Sequence, residues 1–574
     1  MREPAGYTPR LPATASGPSR GFRSVRSRAD QEAMRAKACR RGGGRPGLQR
    51  TAAQFDWRWM PMSKLDGRVA ELAEKYHPLA IEILKEAIRI PADYVDRPVE
   101  QGGDPRCGTS NHEFPRLDYL RKRIIEIGAV RDAKDVDFDA FGNLVWVVTD
   151  PNDAIPADQK KVIYLDGHTD TVKPLRDVWL AKTNGGVDVY DGLLDRAKIT
   201  KPMLEKELGW VPPESEWDSL LFGRGSADQL GGVISQIVAS KILLELAPEG
   251  ALKGVIVRSY ATVCEEDNDG AGPMYVMRNV LPGAKPELIP DVVILTDSTG
   301  DAKKGALGIY RGQRGRMQIE VTVTGRSSHG SMPWMGLNPL EFGAAILKEA
   351  AEKYEKRDGF LDNEFLGHGT RTASWATLDT PSDCAVPARF TFRFDRRLTI
   401  GETPEQSVKD VESLSSVAAA RAAGLEVTVA IPVYPDASWK GYVLNNDQIY
   451  LGWVTPEEHP AISAAVTAYK GVVSPHVNGV SGTGGFIPKE PRVDRWIFST
   501  DGVGYPVPKD DTSIPVGKSK NWVVSGAYKH PAMFGFAPGI EQNTHKIAEC
   551  VDVREVRHCI AFLARFPSVF AGNA

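Results

Sequence analysis

The 574-residue chain reads as an α/β protein: a mostly parallel sheet with helices on both faces, interrupted by a smaller α+β domain. Three features carry that reading. Between residue 64 and residue 305, short apolar runs alternate with helical patterns, as in successive βαβ units. From "LGIYRGQRGRMQIEVTVTG" the apolar period becomes two, with Met317, Ile319, Val321 and Val323 alternating with Gln318, Glu320, Thr322 and Thr324. That is an antiparallel strand with one wet face. The length also exceeds what one hydrophobic core serves, so two domains are expected.

The elements follow in order. Met62 opens "MSKLDGRVAELAEKYHPLAIEILKEAIRIP", an amphipathic helix. Val162 to Leu165 is a short, β-branched apolar run and predicts a buried strand. After "GRGSAD", Leu230, Val233, Ile234, Ile237 and Val238 recur at helical spacing. "GVIVRSYATV" and "DVVILT" are two more strands, "NPLEFGAAILKEAAEKY" a helix, and "ARFTFRFDRRL" and "GLEVTVAIPV" strands of the second domain. The expected organisation is a tail over 1–61, a catalytic domain over 62–307 and 436–574, and an inserted domain over 308–435.

The first 60 residues hold 12 Arg and 1 Lys against 2 Asp and 2 Glu, and are rich in Gly, Pro, Ala and Ser. Such a segment cannot bury a core and is expected to be disordered. It reads as a tail or a mis-assigned upstream start in preference to a transit peptide, since it lacks an amphipathic pattern. A net charge of −3 argues against a nucleic-acid or membrane-surface partner, and no apolar run approaches a membrane span. The six cysteines form neither a CxxC nor a dense framework, which fits a cytoplasmic protein.

Seven acids and histidines stand where a sheet delivers side chains to one edge. "VIYLDGHTDTV" carries His168 and Asp170, "LFGRGSADQLGG" Asp228, "YATVCEEDNDGAG" Glu265 and Glu266, "VVILTDSTG" Asp297, and "GIEQNTHKIAE" His545. His168 follows a strand at its carboxyl end, where open α/β sheets bind ligands. Asp170, two residues on, is placed to fix its tautomer. Adjacent residues at a strand terminus point different ways, so one of Glu265 and Glu266 can bind metal while the other faces substrate. Singly, each of these is an ordinary cap or surface residue; together and in this order they indicate a two-metal hydrolase.

On these motifs the chain resembles the zinc peptidase and deacylase family of acetylornithine deacetylase, succinyl-diaminopimelate desuccinylase, aminoacylase and the glutamate carboxypeptidases. The match runs from residue 64 to the C-terminus. "IYRGQRGRM", "SSHGSMPWMGLNP" and "CAVPARFTFRFDRRLTIGET" are most similar to its selenium-metabolism hydrolase branch. The resemblance implies two Zn²⁺ per subunit, with Co²⁺ or Mn²⁺ as replacements. Asp228 would bridge them, His168 and Asp297 would complete one site, and Glu266 and His545 the other. Glu265 would be the general base of an amide hydrolysis by metal-activated water, and Asp170 the orienter of His168. A cis peptide is implied after Asp228. The inserted domain would be a ferredoxin-like lid that pairs two subunits, with His329 of "SSHGSMP" reaching the partner's active site and Arg397 of "DRRLTIGE" gripping a substrate carboxylate. A homodimer acting on a small carboxylate-bearing molecule follows.

The chain departs from the family pattern in three places. The distance from His168 to Asp228 is about twice that of typical members, and long insertions of this kind are usually functional; this one is placed to wall the cleft. Cys384 stands where the family has Asn before "VP". The final motif reads "HKIAE", keeping an imidazole and Glu549 but changing the turn between them. The leading reading is a deacylase of N-acyl or N-carbamoyl amino acids. A dipeptidase or aminopeptidase of the same family is the alternative, and a catalytically retired metal-binding dimer is the alternative of another class.

Overall fold

The computed structural model describes residues 63–92, 112–477, 487–517, 520 and 522–573. The expected basic tail lies outside them. An eight-stranded sheet runs in the spatial order Val136–Phe138, Leu144–Thr149, Val255–Thr262, Lys161–His168, Val292–Leu295, Ala532–Gly535, Ile309–Tyr310, Val493–Asp494. It is parallel through its centre, antiparallel at the Val136–Phe138 edge, and antiparallel again where Ala532–Gly535 meets Ile309–Tyr310. Both faces are covered, and the strand Lys161–His168 shows why its sequence reads as a continuous apolar run. Ile163 and Leu165 face one core, while Val162 and Tyr164 face another.

The first core lies under four helices, Lys64–Arg89, Gly231–Glu245, Pro460–Val472 and Val553–Phe570. The first of these begins at a capping box. The Ser63 hydroxyl accepts from the Asp66 amide at 3.2 Å, and the Asp66 carboxylate accepts from the Ser63 amide at 2.8 Å. Asp66 also holds Arg565 of the C-terminal helix, Nε to Oδ1 at 2.5 Å, and Arg565 donates to Ser568 at 2.6 Å. The two ends of the described chain are thus joined by a buried ion pair.

A second, antiparallel sheet runs in the order Thr370–Asp379, Arg389–Leu398, Gly315–Thr324, Glu426–Ala430, with Ile449–Tyr450 also paired to Gly315–Thr324. The expected alternation holds: Met317, Ile319, Val321 and Val323 are fully buried with Phe390, Phe392 and Phe394. The helix Pro339–Glu355 packs into this core through Ile346 and Ala350. Thr370–Asp379 is an edge strand whose residues from Thr372 onward are exposed, Trp375 at 47%. No described helix is long and apolar enough to cross a membrane.

Removing one member of a buried ion pair leaves the other charge stranded, at a cost of about 3–5 kcal/mol. Arg565→Met is therefore expected to lower the urea midpoint clearly, read by circular dichroism. An unchanged midpoint would show that the pair contributes nothing net.

Candidate metal centre and active site

The parallel register builds the site. His168 lies opposite Thr262 and Asp166 opposite Leu295, so the loops after Thr262 and Leu295 leave the same sheet edge as His168. The His168 ring is buried, with Nδ1 3.0 Å from the Asp170 carbonyl oxygen and Nε2 3.1 Å from Asp228 Oδ1. Asp228 lies in a non-helical turn before helix Gly231–Glu245, and its peptide bond to Gln229 is cis. The glycines of "QLGG" let that helix start against the neighbouring loop: a Cβ on Gly232 would sit 1.9 Å from the Thr296 carbonyl oxygen. Asp297, next in that loop, converges with His168 and Asp228, their ligand atoms all within 4.8 Å.

The second oxygen of Asp228 serves the other side. His545 Nε2 lies 3.0 Å from Asp228 Oδ2 and 3.1 Å from Glu266 Oε2. His545 has φ +60°, and Ala548 just after it φ +63°. Between them and the next strand, Glu549 is wholly buried. It accepts from the Ala227 and Asp228 amides at 3.1 Å each and from Arg224 Nη1 at 2.6 Å. Glu549 therefore fixes the backbone that carries the bridging carboxylate.

Glu265 and Glu266 begin a one-turn helix, Glu265–Asn268, and do not extend the strand. Cys264, at φ +67°, turns the chain, and the Asp170 carboxylate accepts the amides of Glu265 (3.2 Å) and Glu266 (2.9 Å). The two glutamates still diverge: Glu266 meets His545, and Glu265 Oε2 sits 3.7 Å from His168 Nε2 while belonging to neither triad. Asp170 thus orients His168 mainly through its carbonyl, its carboxylate being 3.5 Å from Nδ1, and spends that carboxylate on the glutamate loop.

Charge in this cluster is lopsided. Burial pushes Glu265 well above the usual carboxylate range, and burial with the Asp228 charge does the same to Asp297. Burial would raise Asp228 too, but hydrogen bonds to His168 and His545 outweigh it and hold its carboxyl low. Burial lowers His545, yet the Glu266 charge and the Asp228 hydrogen bond push it up to about 12. Carboxylates that crowd so closely favour cations. Two imidazole nitrogens with three carboxylates form a donor set suited to divalent transition metals. The arrangement fits a pair of ions sharing Asp228.

The other expected site residues lie elsewhere. His329 is exposed, its Nδ1 bonded to Ser331. Arg397 is held by Asp395, Nε to Oδ1 at 2.8 Å, and reaches Ser499 at 3.3 Å; Ser499 donates to Asp269 Oδ2 at 2.8 Å. Arg316 also bonds Asp269. Sequence reasoning missed Glu113, which is fully buried and accepts from the Cys264 amide at 3.3 Å. It also missed Asp166, which accepts from the Tyr505 hydroxyl at 2.5 Å beneath His168. An acid inside the apolar run "VIYLDGH" was the available signal for Asp166; Glu113 offered none.

Ligands must shed protons to bind metal, so affinity should rise with pH, by about tenfold per unit for each proton displaced. The raised His545 makes a proton release expected near neutrality, read by calorimetry in two buffers of different ionisation enthalpy. Asp228→Ala should reduce bound metal from two ions per chain to fewer than one, measured by inductively coupled plasma mass spectrometry.

Comparison with known proteins agrees with this geometry. Residues 311–423 match the peptidase dimerisation domain of the M20 family. The YgeY protein of Escherichia coli K12 is 34% identical over 499 residues, covering 87% of this chain and 96% of its own. A probable succinyl-diaminopimelate desuccinylase of Staphylococcus aureus is 29% identical over 148 residues, 25% of this chain and 33% of that protein. Among solved structures, the dipeptidase Dug1p of Saccharomyces cerevisiae superposes with a TM-score of 0.56 at 13% identity, over 88% of this chain and 98% of that one. Human carnosine dipeptidase 1 gives 0.55 at 15%, over 89% and 100%. The chain belongs to the M20 family of metal-dependent hydrolases that act on amide bonds.

Proposed function

We propose that the chain is a dizinc deacylase that hydrolyses the amide bond of N-acyl or N-carbamoyl amino acids, with Glu265 as general base. The observation that carries this is Glu265 itself, a buried carboxylate facing the cluster yet outside both ligand groups. His168, Asp228 and Asp297 on one side, and Asp228, Glu266 and His545 on the other, would hold two Zn²⁺ ions, which when bound would supply Lewis acidity to the water and to the scissile carbonyl. Glu265 takes the water proton on a carboxylate oxygen and delivers it to the leaving nitrogen. Asp170 holds the backbone of Glu265 through its amide, so the base is set on a fixed turn. Burial raises the affinity of Glu265 for that proton, as a base that must first accept it and then give it up requires.

Arg397 is the residue for the substrate carboxylate, which would displace its pairing with Asp395. His329, exposed on the short strand Ser328–His329 that pairs with Ala385–Val386, would serve the site of a partner subunit, and the exposed edge Thr370–Asp379 is the surface for pairing a homodimer. A dipeptidase reading draws on a different observation. Asp267, next to Glu266, is approached by the Tyr434 hydroxyl at 3.2 Å and is an anion suited to a free ammonium.

Hydrolysis of a panel of N-acetyl, N-succinyl and N-carbamoyl amino acids and dipeptides separates these readings, using metal-stripped protein reloaded with Zn²⁺, Co²⁺ or Mn²⁺. Metal-dependent turnover of the acylated set is expected. Glu265→Ala should lower kcat by about 10²–10⁴-fold while retaining both ions. Turnover confined to dipeptides would favour the peptidase, and two bound ions with no turnover would favour a retired catalyst.

A further inference from the structure

The insertion between His168 and Asp228 folds on a core of its own. Trp179, Val189, Leu204, Trp217 and Phe222 are buried together, and the buried residues they share with the rest of the chain are Ala548 and Cys550, which flank Glu549 just after His545. The insertion grips that loop at both ends. At the far end, Leu220–Phe222 pairs antiparallel with Cys550–Asp552. At the near end, the Trp210 amide donates to Asn543 Oδ1 and Asn543 Nδ2 donates to the Trp210 carbonyl, both at 2.9 Å. Gly209 permits this approach, because a Cβ there would lie 2.4 Å from Gln542 Cβ and 2.8 Å from the Gln542 carbonyl oxygen. A third link runs from the insertion's Trp179 ring, 5.5 Å from the Arg224 guanidinium, through Arg224 to Glu549.

Within that bracket the backbone is strained. His545 and Ala548 both take left-handed φ values, which non-glycine residues hold only when their surroundings impose them. Asn543 lies two residues before His545, and its side chain is spent wholly on the Trp210 backbone in the described contacts. We propose that residues 173–222 are a buttress for the His545 loop, with Asn543 as the positioning residue that sets His545 against Asp228 and Glu266. The insertion thereby tunes one ion position, the one that includes His545, and leaves the His168 position alone. This rests on the two-metal reading of the site.

The test uses the full chain, with Asn543→Ala removing the clamp from one side and Gly209→Ala pushing it apart from the other. In metal-free protein, hydrogen exchange by mass spectrometry should rise at least tenfold in peptides covering 209–211 and 541–549, while the strand 161–168 keeps its protection and reports an intact fold. In Zn²⁺ titrations against a chelator, one of two ions should bind about 10–100-fold more weakly, the range for loss of a residue that orients a ligand. The other should shift by less than about twofold. Unchanged exchange in the loop, or equal weakening of both ions, would overturn the proposal. Wild-type protein binding fewer than two ions would instead contradict the two-metal reading, with the exchange result still deciding whether the clamp exists.

Discussion

The structure turns on one carboxylate that two imidazoles address from opposite sides. His168 approaches Asp228 Oδ1 at 3.1 Å and His545 approaches Oδ2 at 3.0 Å, although the histidines lie on segments 377 positions apart in the chain. Each oxygen of the carboxylate thus has an imidazole partner of its own. The surroundings serve to keep that carboxylate still. The cis peptide to Gln229 sits in its turn, Gly232 brings the following helix onto the Thr296 loop, and Glu549 ties down the amides of Ala227 and Asp228.

The supporting charges are arranged for geometry more than for stability. Arg224 and Glu549 are both buried, and a buried pair of this kind recovers little beyond its own desolvation. What it does provide is direction, since Glu549 accepts three donors from three places. A second network links the two sheets. Arg316 on the strand Gly315–Thr324 bonds Asp269, and Ser499 connects Asp269 to Arg397 on Arg389–Leu398. Asp269 directly follows the turn that carries Glu265 and Glu266, so a chain of hydrogen bonds joins the second sheet to that turn.

The sequence made the candidate metal-ligating set legible because each candidate ligand follows a buried run or enters a glycine-rich turn, and parallel strands deliver such positions to one edge. His168, Asp228, Glu266, Asp297 and His545 converge for that reason. The apolar period of two over Met317–Val323 likewise survives intact as a buried face, with Gln318 the one polar side chain of that stretch to be buried with it. What stayed hidden depends on long-range pairing. Glu113 and Arg224 have ordinary sequence neighbours, and their roles exist only through Cys264 and Glu549, hundreds of positions away in the latter case. Asp170 was expected to orient His168, and the atom 3.0 Å from its Nδ1 is the Asp170 carbonyl oxygen, a detail that side-chain identity cannot carry. The insertion looked like a wall for the cleft. Its contacts in the structure run to Asn543 and Cys550 on either side of His545, and only the long-range hydrogen bonds and strand register reveal them.

The most direct test of the central claim is anomalous X-ray scattering, on either side of the zinc absorption edge, from crystals of the protein grown with Zn²⁺. A shared carboxylate predicts two peaks about 3.5–4 Å apart, one on the His168 and Asp297 side of Asp228 and the other on the Glu266 and His545 side. A single peak, or peaks remote from Asp228, would contradict the account.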